Sequence, residues 1–262
     1  MAGEERGAYI VFGHGVAELV LNRPEKINAM NAAMVDDIHK AFSAAEEAGV
    51  RALIVRGEGK GFSAGRDLSE SDPLNEDAHA ILADLFNPVF ARAADFPAPT
   101  LAAVQGACLG TGLGLALACD LVFAADDARI GSPFARIGAV LDSGAHNAFF
   151  KRIGSHRALE LIYTGRLLSG RDASDWGLVN RSVARLQLLP TVRALAKGIA
   201  AGPTAAFMAS KRIIRRLDEE AVGFTEVMAA EADAQGEAAR THDYAEGITA
   251  FLAKRSPAFE GQ

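Results

Sequence analysis

The chain has 262 residues, of which 50% are hydrophobic, and its formal net charge is -6 at pH 7. This length suits one large domain or two small ones, and the acidic balance argues against a broad basic surface for nucleic acid. Two cysteines are too few for a disulfide framework. The sequence shows no signal-peptide core and no apolar run of about 18 residues. We therefore expect a globular cytoplasmic protein that binds neither nucleic acid nor membrane.

The first half of the chain alternates short strands with helices. A turn over residues 11–16 leads into a strand over residues 16–22. Asn31 can cap a helix that ends before Gly49, because apolar residues recur there at helical spacing. Further strands are predicted over residues 52–56, 100–105, 121–124 and 178–183. Strands that alternate with helices predict an α/β core with parallel pairing.

The chain changes character after about residue 185. Four helical patterns follow one another there, over residues 188–201, 203–217, 219–239 and 244–254. Breaker residues and polar segments separate them, and no further strand pattern intervenes. We therefore predict an α/β core over residues 1–190 and an all-helical region over residues 191–262.

Residues 61–68, GFSAGRDL, contain the Gly-x-Ser-x-Gly pattern of a hydrolase nucleophile. A nucleophile elbow needs a strand that runs directly into the turn and a helix that leaves it. Here residues 57–60 separate the strand from the motif, and a polar segment with Pro73 follows it. Ser63 is therefore a weak candidate nucleophile. The alternative is that the glycines shape a bend whose backbone N–H groups bind an anion.

A second glycine-rich segment, residues 106–114, also follows a predicted strand. It lacks the Lys-Ser/Thr pair of a P-loop and the glycine spacing of a dinucleotide site. Close packing between a strand and a helix would explain one such run. Two similar bends, each with N–H groups near a helix N-terminus or a nest, can together hold one oxygen that becomes negative, as an oxyanion hole does.

Four segments in order resemble the crotonase (enoyl-CoA hydratase/isomerase) family: residues 21–31 (LNRPEKINAMN), 61–68, 102–131 and 244–259. The resemblance implies an α/β fold, a spiral of ββα units with a C-terminal all-helical trimerisation region. It implies a homotrimer or a hexamer made of two trimers. It also implies acyl-CoA thioesters as substrates, with coenzyme A as part of the substrate, no prosthetic group and no metal.

Positions in this resemblance assign roles to individual residues. The two oxyanion-binding N–H groups fall on Arg66 and Thr111. The positions that contact coenzyme A in the family are held here by Ala64, Asp67, Leu68, Phe251 and Lys254. Phe251 and Lys254 are expected to reach the coenzyme from a neighbouring subunit, and the alternative for Lys254 is a solvated cation at a helix end.

Two glutamates that hydratases of this family carry are missing. Their positions hold Gly114 and Phe134. Addition of water to a double bond needs one group that activates the water and one that delivers a proton, and neither residue can do so. The resemblance to hydratases therefore does not predict hydratase activity.

Asp142 lies where isomerases of the family have an aspartate, among them the ring-1,2-epoxyphenylacetyl-CoA isomerase of phenylacetate degradation. Leu141 and Ala145 replace a proline and a glycine of that pattern. Apolar surroundings would raise the pKa of Asp142 toward the range that suits a base. The alternative is that Asp142 caps a helix that begins near Ser143.

These residues predict an acyl-CoA isomerase. The N–H groups of Arg66 and Thr111 would polarise the thioester carbonyl, and Asp142 would move a proton to shift a double bond or assist the opening of an epoxide. Three alternatives remain at this point. They are an enoyl-CoA hydratase-like lyase of fatty-acid metabolism, a non-catalytic acyl-CoA binding protein and, weakest, a serine hydrolase that uses Ser63.

Overall fold

The computed structural model describes residues 6–72 and 74–262. The strands in these ranges are β1 Ala8–Gly13, β2 Val16–Leu21, β3 Ala52–Gly57, β4 Thr100–Val104, β5 Ala107–Leu109, β6 Leu121–Ala125, β7 Arg129–Gly131, β8 Leu168–Ser169 and β9 Arg181–Val183. The α-helices are α1 Ala32–Glu47, α2 Ala78–Ala80, α3 Asn87–Asp95, α4 Thr111–Ala118, α5 Ala145–Thr164, α6 Gly170–Asp175, α7 Arg185–Ala200, α8 Thr204–Glu219, α9 Phe224–Ala238 and α10 His242–Leu252.

The main sheet has the strand order β1-β2-β3-β4-β6-β9. β1 and β2 are antiparallel, and every later pair in this sheet is parallel, which confirms the predicted pairing. All five residues of β4 are buried, because a central parallel strand is covered on both faces and reads as a continuous apolar run. His14 and Gly15, with φ of +53° and +75°, form the hairpin turn. Residues 11–13, predicted as turn, belong to β1.

A second sheet joins β5, β7 and β8. The sequence analysis did not predict it, since strands of two or three residues are too short for an alternating pattern. The strand predicted over residues 178–183 is also shorter than expected. Residues 178 and 179 instead close a turn onto the carbonyl oxygen of Ala173, at 2.9 and 3.3 Å, and only Arg181–Val183 pairs in the sheet.

Helix α1 confirms the predicted cap. The side chain of Asn31 accepts a hydrogen bond from the Met34 N–H at 3.1 Å, which satisfies a backbone donor that has no partner within the helix. Its buried residues, at intervals of three or four, are Met34, Val35, Ile38, Ala41, Phe42 and Ala45. The helix ends at Glu47, and Gly49 turns the chain with φ of +60°.

The four predicted C-terminal helices are present as α7 to α10. Helix α7 packs against β3, β4 and β6 and buries Leu188, Val192, Ala196 and Ala200. Helices α8 and α9 pack against each other, and α9 buries none of its residues, all of which are described. Among the described residues, no helix is long and apolar enough to cross a membrane.

Candidate active site

The first bend, residues 63–66, lies beside Met30. The Met30 N–H donates to the carbonyl oxygen of Gly65 at 2.7 Å, and the Asp67 N–H donates to the carbonyl oxygen of Met30 at 2.9 Å. This pattern is a parallel bridge between Met30 and Arg66, in which the N–H of Arg66 points away from its partner. Within residues 6–72 and 74–262, the Arg66 N–H has no hydrogen-bond acceptor.

The second bend leads from β5 into α4. Gly110 stands between them with φ of +50°, a left-handed conformation that favours glycine. Thr111 is the first residue of α4, and the first N–H groups of a helix have no acceptor within it. No described residue accepts a hydrogen bond from the Thr111 N–H. The positive end of the α4 dipole also lies here, so this bend favours a negative oxygen.

Two glycines allow the bends to touch. A Cβ atom on Gly65 would lie 2.8 Å from the carbonyl oxygen of Leu109, and one on Gly112 would lie 2.5 Å from the Cβ of Ser63. Real Cβ atoms do not approach so closely, so a larger residue at either position would separate the bends. The two unpaired N–H groups therefore belong to adjoining segments. These segments can approach so closely because Gly65 and Gly112 have no side chains.

The side chain of Ser63 is enclosed. Its exposed fraction is 0%, and its hydroxyl donates to the carbonyl oxygen of Asn28 at 2.8 Å and accepts from the Gly65 N–H at 3.1 Å. A short 3-10 turn, Leu68–Glu70, follows the motif instead of the helix that a nucleophile elbow requires. Pro73 lies outside the described residues. Ser63 thus shapes the bend, and the hydrolase alternative is wrong for this geometry.

Asp142 does not cap a helix. Helix α5 begins at Ala145, and its N-cap residue is Gly144 with φ of +74° and no side-chain hydrogen bond. The Asp142 carboxylate instead accepts a hydrogen bond from the Ser143 hydroxyl, at 2.7 Å from Oγ to Oδ1. The capping alternative is therefore wrong, and the Asp142 side chain is half-buried for another reason.

The surroundings of Asp142 change its acidity. Burial raises the pKa of Asp142 above its ordinary value, while the Ser143 hydrogen bond and the charges of Arg66 and His146 act in the opposite direction. The charge of Arg66 is close enough to lower the pKa of Asp142, so the Arg66 side chain lies near this carboxylate. The structure thus brings Asp142 and Arg66 into one neighbourhood, and Ser143 contacts α4 close to Thr111.

The guanidinium of Arg66 is paired with Glu76. Two hydrogen bonds join them, at 3.1 Å and 2.6 Å, and the Arg66 hydrogen bond holds the pKa of Glu76 below its ordinary value. Glu76 was not predicted from the sequence, since it lies ten positions from Arg66 in an irregular segment. This ion pair ties Glu76 to the first bend.

The remaining residues assigned to coenzyme A fall in two places. Ala64 is half-buried in the first bend, Leu68 is exposed beside it, and Asp67 is buried. The Asp67 carboxylate accepts hydrogen bonds from the Ser69 hydroxyl and N–H and forms an ion pair with Arg23 at 2.9 Å. These interactions lower the pKa of Asp67 to about 2.

Phe251 and Lys254 lie at the end of α10 and are exposed. No hydrogen bond or ion pair within the described residues connects them to either bend. A role that depends on a second subunit is consistent with this placement and stays a prediction.

Two cavities border the core. A groove of about 1020 Å³ runs between α3, α4, α5 and α8, and Phe90, Gly114 and Ser143 lie at its wall. A cavity of about 1230 Å³ between β1 and α1 contains none of the residues assigned to the site. The groove lining does not include Arg66, Thr111 or Asp142 either, but it includes Ser143, the neighbour of Asp142 in the chain.

The sequence profile of the family described as "Enoyl-CoA hydratase/isomerase" matches residues 12–262. The chain belongs to this enoyl-CoA hydratase/isomerase family. The 1,2-epoxyphenylacetyl-CoA isomerase of Escherichia coli K12 is 34% identical over 253 residues, which cover 95% of this chain and 96% of that protein. The enoyl-CoA hydratase/isomerase-type protein YhaR of Bacillus subtilis is 37% identical over 249 residues, which cover 94% and 95%.

Solved structures show the same fold. The crystal structure of an enoyl-CoA hydratase from Bacillus anthracis superimposes with a TM-score of 0.91 at 30% identity and covers 98% of this chain and 100% of that one. The crotonase fold expected from the sequence is thus confirmed. The related proteins are named both as hydratases and as isomerases, so kinship establishes enoyl-CoA hydratase/isomerase chemistry without choosing between the two reactions.

The two positions that hold glutamates in family hydratases are occupied differently here. A Cβ atom on Gly114 would lie 2.3 Å from the Cβ of Ser143 and 2.8 Å from its carbonyl oxygen, so no side chain fits at residue 114. At the other position, the ring of Phe134 packs over the second bend, since a Cβ atom on Gly110 would lie 3.2 Å from its edge. One position is closed and the other is apolar.

Proposed function

We propose that the protein is an acyl-CoA isomerase in which Asp142 carries a proton between two carbons of the acyl group. The N–H groups of Arg66 and Thr111 bind the thioester oxygen as it becomes negative. Each donor of this kind typically contributes about 2.7 to 4 kcal/mol of transition-state stabilisation. Coenzyme A is part of the substrate, and the reaction needs no prosthetic group.

One carboxylate is enough for the proposed reaction, because the proton that it removes is the proton that it returns. Asp142 removes a proton from C2 of a 3-enoyl-CoA, and the electron pair of that C–H bond moves into a dienolate whose oxygen lies between the two N–H groups. The protonated carboxyl group then returns the same proton to C4, which gives the 2-enoyl-CoA. Opening of a ring-1,2-epoxide would use the same carboxyl group and oxyanion site.

The observation that carries this proposal is the setting of Asp142. It is a half-buried carboxylate with a raised pKa, it caps no helix, and it lies near the side chain of Arg66, whose backbone N–H has no acceptor among the described residues. A base for carbon acids works best when its pKa approaches the working pH. A helix cap or a surface aspartate would not need these surroundings.

The hydratase alternative is less consistent with this site. Water addition needs a group that holds the water, and the closed position at Gly114 and the ring of Phe134 offer none. The resemblance to hydratases would then reflect the shared oxyanion site.

We also propose that the protein assembles as a cytoplasmic homotrimer or as a hexamer of two trimers. Support comes from the C-terminal helices, where Phe224 and Phe251 are 79% and 80% exposed. Large exposed apolar side chains in one region are typical of a protein interface. In such an assembly Phe251 and Lys254 would contact the coenzyme bound by a neighbour.

The experiment that tests the isomerase proposal compares the wild type with Asp142→Asn. Purified protein is mixed with a 3-enoyl-CoA, and the conjugated 2-enoyl-CoA product is followed by absorbance. Loss of the carboxylate should lower kcat by at least about a hundredfold, the usual contribution of a general base. The matched control is Asp175→Asn, an exposed aspartate of α6, which should retain the wild-type rate.

Parallel assays separate the alternatives. Hydration of crotonyl-CoA by the wild type without double-bond migration would overturn the isomerase proposal in favour of a lyase. Tight binding of acyl-CoA without any turnover would identify a binding protein. Full isomerase activity in Asp142→Asn would remove Asp142 from the mechanism.

A further inference from the structure

Ser143 has an unusual backbone for its residue type. Its φ is +59°, in the left-handed region where a Cβ atom crowds the following carbonyl group and glycine is preferred. The next residue, Gly144, is also left-handed with φ of +74°. Non-glycine residues keep such a conformation only where surrounding contacts impose it, and these sites often serve function.

The contact that imposes it comes from α4. Ser143 is buried, with 7% of its surface exposed, and its backbone and Cβ occupy the space where a side chain at Gly114 would stand. A Cβ atom at residue 114 would be 2.3 Å from the Ser143 Cβ and 3.2 Å from its Oγ. The absence of a side chain at Gly114 therefore leaves room on α4 for Ser143 in its left-handed conformation.

The hydroxyl of Ser143 has one partner in the described chain. It donates to Oδ1 of Asp142 at 2.7 Å. The other charged groups that act on this carboxylate are Arg66 and His146, and Arg66 is itself paired with Glu76. The serine thus makes the hydrogen bond to this carboxylate, and Arg66 and His146 act on it without one.

We propose that Ser143 is a positioning residue, whose hydroxyl fixes Oδ1 of Asp142 and leaves Oδ2 to exchange the substrate proton. This inference rests on the proposed isomerase function. The torsion that rotates a carboxylate has broad minima, so a free Asp142 would present either oxygen in many orientations. A hydrogen bond from Ser143 to Oδ1 fixes the carboxylate plane and therefore the direction in which Oδ2 points. The same hydrogen bond stabilises the charged form of Asp142, which burial disfavours.

The first test is Ser143→Ala, which keeps the Cβ and therefore the packing on Gly114. Loss of the hydroxyl should lower kcat about tenfold, a part of the usual contribution of a general base, with KM changed less than about twofold. As the pH is lowered, the activity of Ser143→Ala should fall at a pH about one unit higher than that of the wild type. The reason is that the charged carboxylate has lost a hydrogen-bond donor, which raises the pKa of Asp142. A purely structural role would leave that pH dependence unchanged.

A second variant separates the hydroxyl from the backbone strain. Ser143→Gly relieves the left-handed conformation but also removes the hydroxyl, so it should shift the pH dependence as far as Ser143→Ala does. Ser155→Ala, an exposed serine in α5, is the matched control and should behave like the wild type. A wild-type pH dependence in both residue 143 variants would overturn the proposal.

A readout without turnover distinguishes the two proposals. The carboxyl stretching band of protonated Asp142, assigned by its loss in Asp142→Asn, can be followed by infrared spectroscopy as the pH rises. Its midpoint should lie higher in Ser143→Ala than in the wild type. A shifted midpoint in a protein that isomerises no enoyl-CoA would overturn the isomerase function alone, while an unshifted midpoint in an active enzyme would overturn the role of Ser143.

Discussion

The two bends and the C-terminal helices are built in opposite ways. At the bends, backbone packs on backbone so closely that added Cβ atoms on Gly65, Gly112 and Gly114 would approach neighbouring atoms to within 2.8 Å or less. In helix α9 no residue is buried, although the helix is described in full. Gly236, within that helix, has no atom near the place of an added Cβ.

This difference indicates which part of the molecule a single chain can form alone and which part needs a neighbouring subunit. The bends are held by contacts inside the chain, so the proposed oxyanion site can form in a single subunit. The large apolar side chains Phe224, Phe251 and Leu252 of α9 and α10 are exposed in the described chain, and burial of such side chains contributes about 1.5 to 3 kcal/mol each. The comparison predicts a rigid site in the core and an assembly surface on the helices.

The largest expected effect comes from charging that surface. Phe224 and Met228 lie one helical turn apart on α9 and are both exposed. The double variant Phe224→Asp, Met228→Asp should prevent assembly, because two carboxylates would be buried without partners. Size-exclusion chromatography with light scattering should then give 27.5 kDa, the mass of one chain, where the wild type gives a multiple of three.

The control for this change is Phe12→Asp, which charges an exposed apolar residue of the β1–β2 hairpin. It should leave the molecular mass unchanged. A wild-type protein of 27.5 kDa would contradict the assembly proposal and would leave the exposed helices without an explanation.

The next effect concerns the fit between the bends. Gly112→Ala places a Cβ atom 2.5 Å from that of Ser63, and overpacking of this kind should lower the free energy of unfolding by about 1 to 3 kcal/mol. Gly236→Ala in α9 should raise it by about 0.5 to 1 kcal/mol, since alanine favours a helix and meets open space. Denaturant titrations at one protein concentration measure both free energies of unfolding. Equal changes in the two variants would contradict the difference between the tightly packed bends and the open helix α9.

The last comparison is between two ion pairs. The Asp67 pKa falls from 3.8 to about 2 in the folded chain, first through the Ser69 hydrogen bond and also through Arg23. The stabilisation is therefore present above about pH 4 and is lost as the pH falls toward 2. Asp67→Asn should lower the free energy of unfolding at pH 7 by about 2 kcal/mol.

The matched change in the C-terminal helices is Glu220→Gln, which breaks an exposed pair with Arg216. Such pairs contribute less than about 1 kcal/mol, so the free energy of unfolding should barely change. Urea titrations of both variants between pH 7 and pH 2 provide the measurement. A constant difference between Asp67→Asn and the wild type over that range would contradict the pKa argument.

Much of the fold could be predicted from local pattern. The apolar runs of β2, β3, β4 and β6 and the capped helix α1 were identified because their periodicity and end signals lie within a few residues. The second sheet was missed, since its strands are too short to show a period. The predicted start of β9 was wrong because residues 178 and 179 turn back onto α6.

The candidate site could be predicted only in part. The glycine-rich bends and Asp142 stand out in the sequence because the chemistry needs them in recognisable motifs. Ser143 and Glu76 do not, since their importance comes from what they touch. Two alternatives could be decided only by geometry, namely the enclosed hydroxyl of Ser63 and the helix that begins at Ala145 without help from Asp142.

The sequence by itself determined the family, the parallel α/β core and the places where the backbone must bend, because glycine positions and apolar periods are local properties of the chain. Only the tertiary structure decided that Ser143 fills the space beside Gly114 and holds Asp142. Residues 114 and 143 belong to different segments, and a contact between distant segments depends on how closely their backbones approach, which no local pattern records.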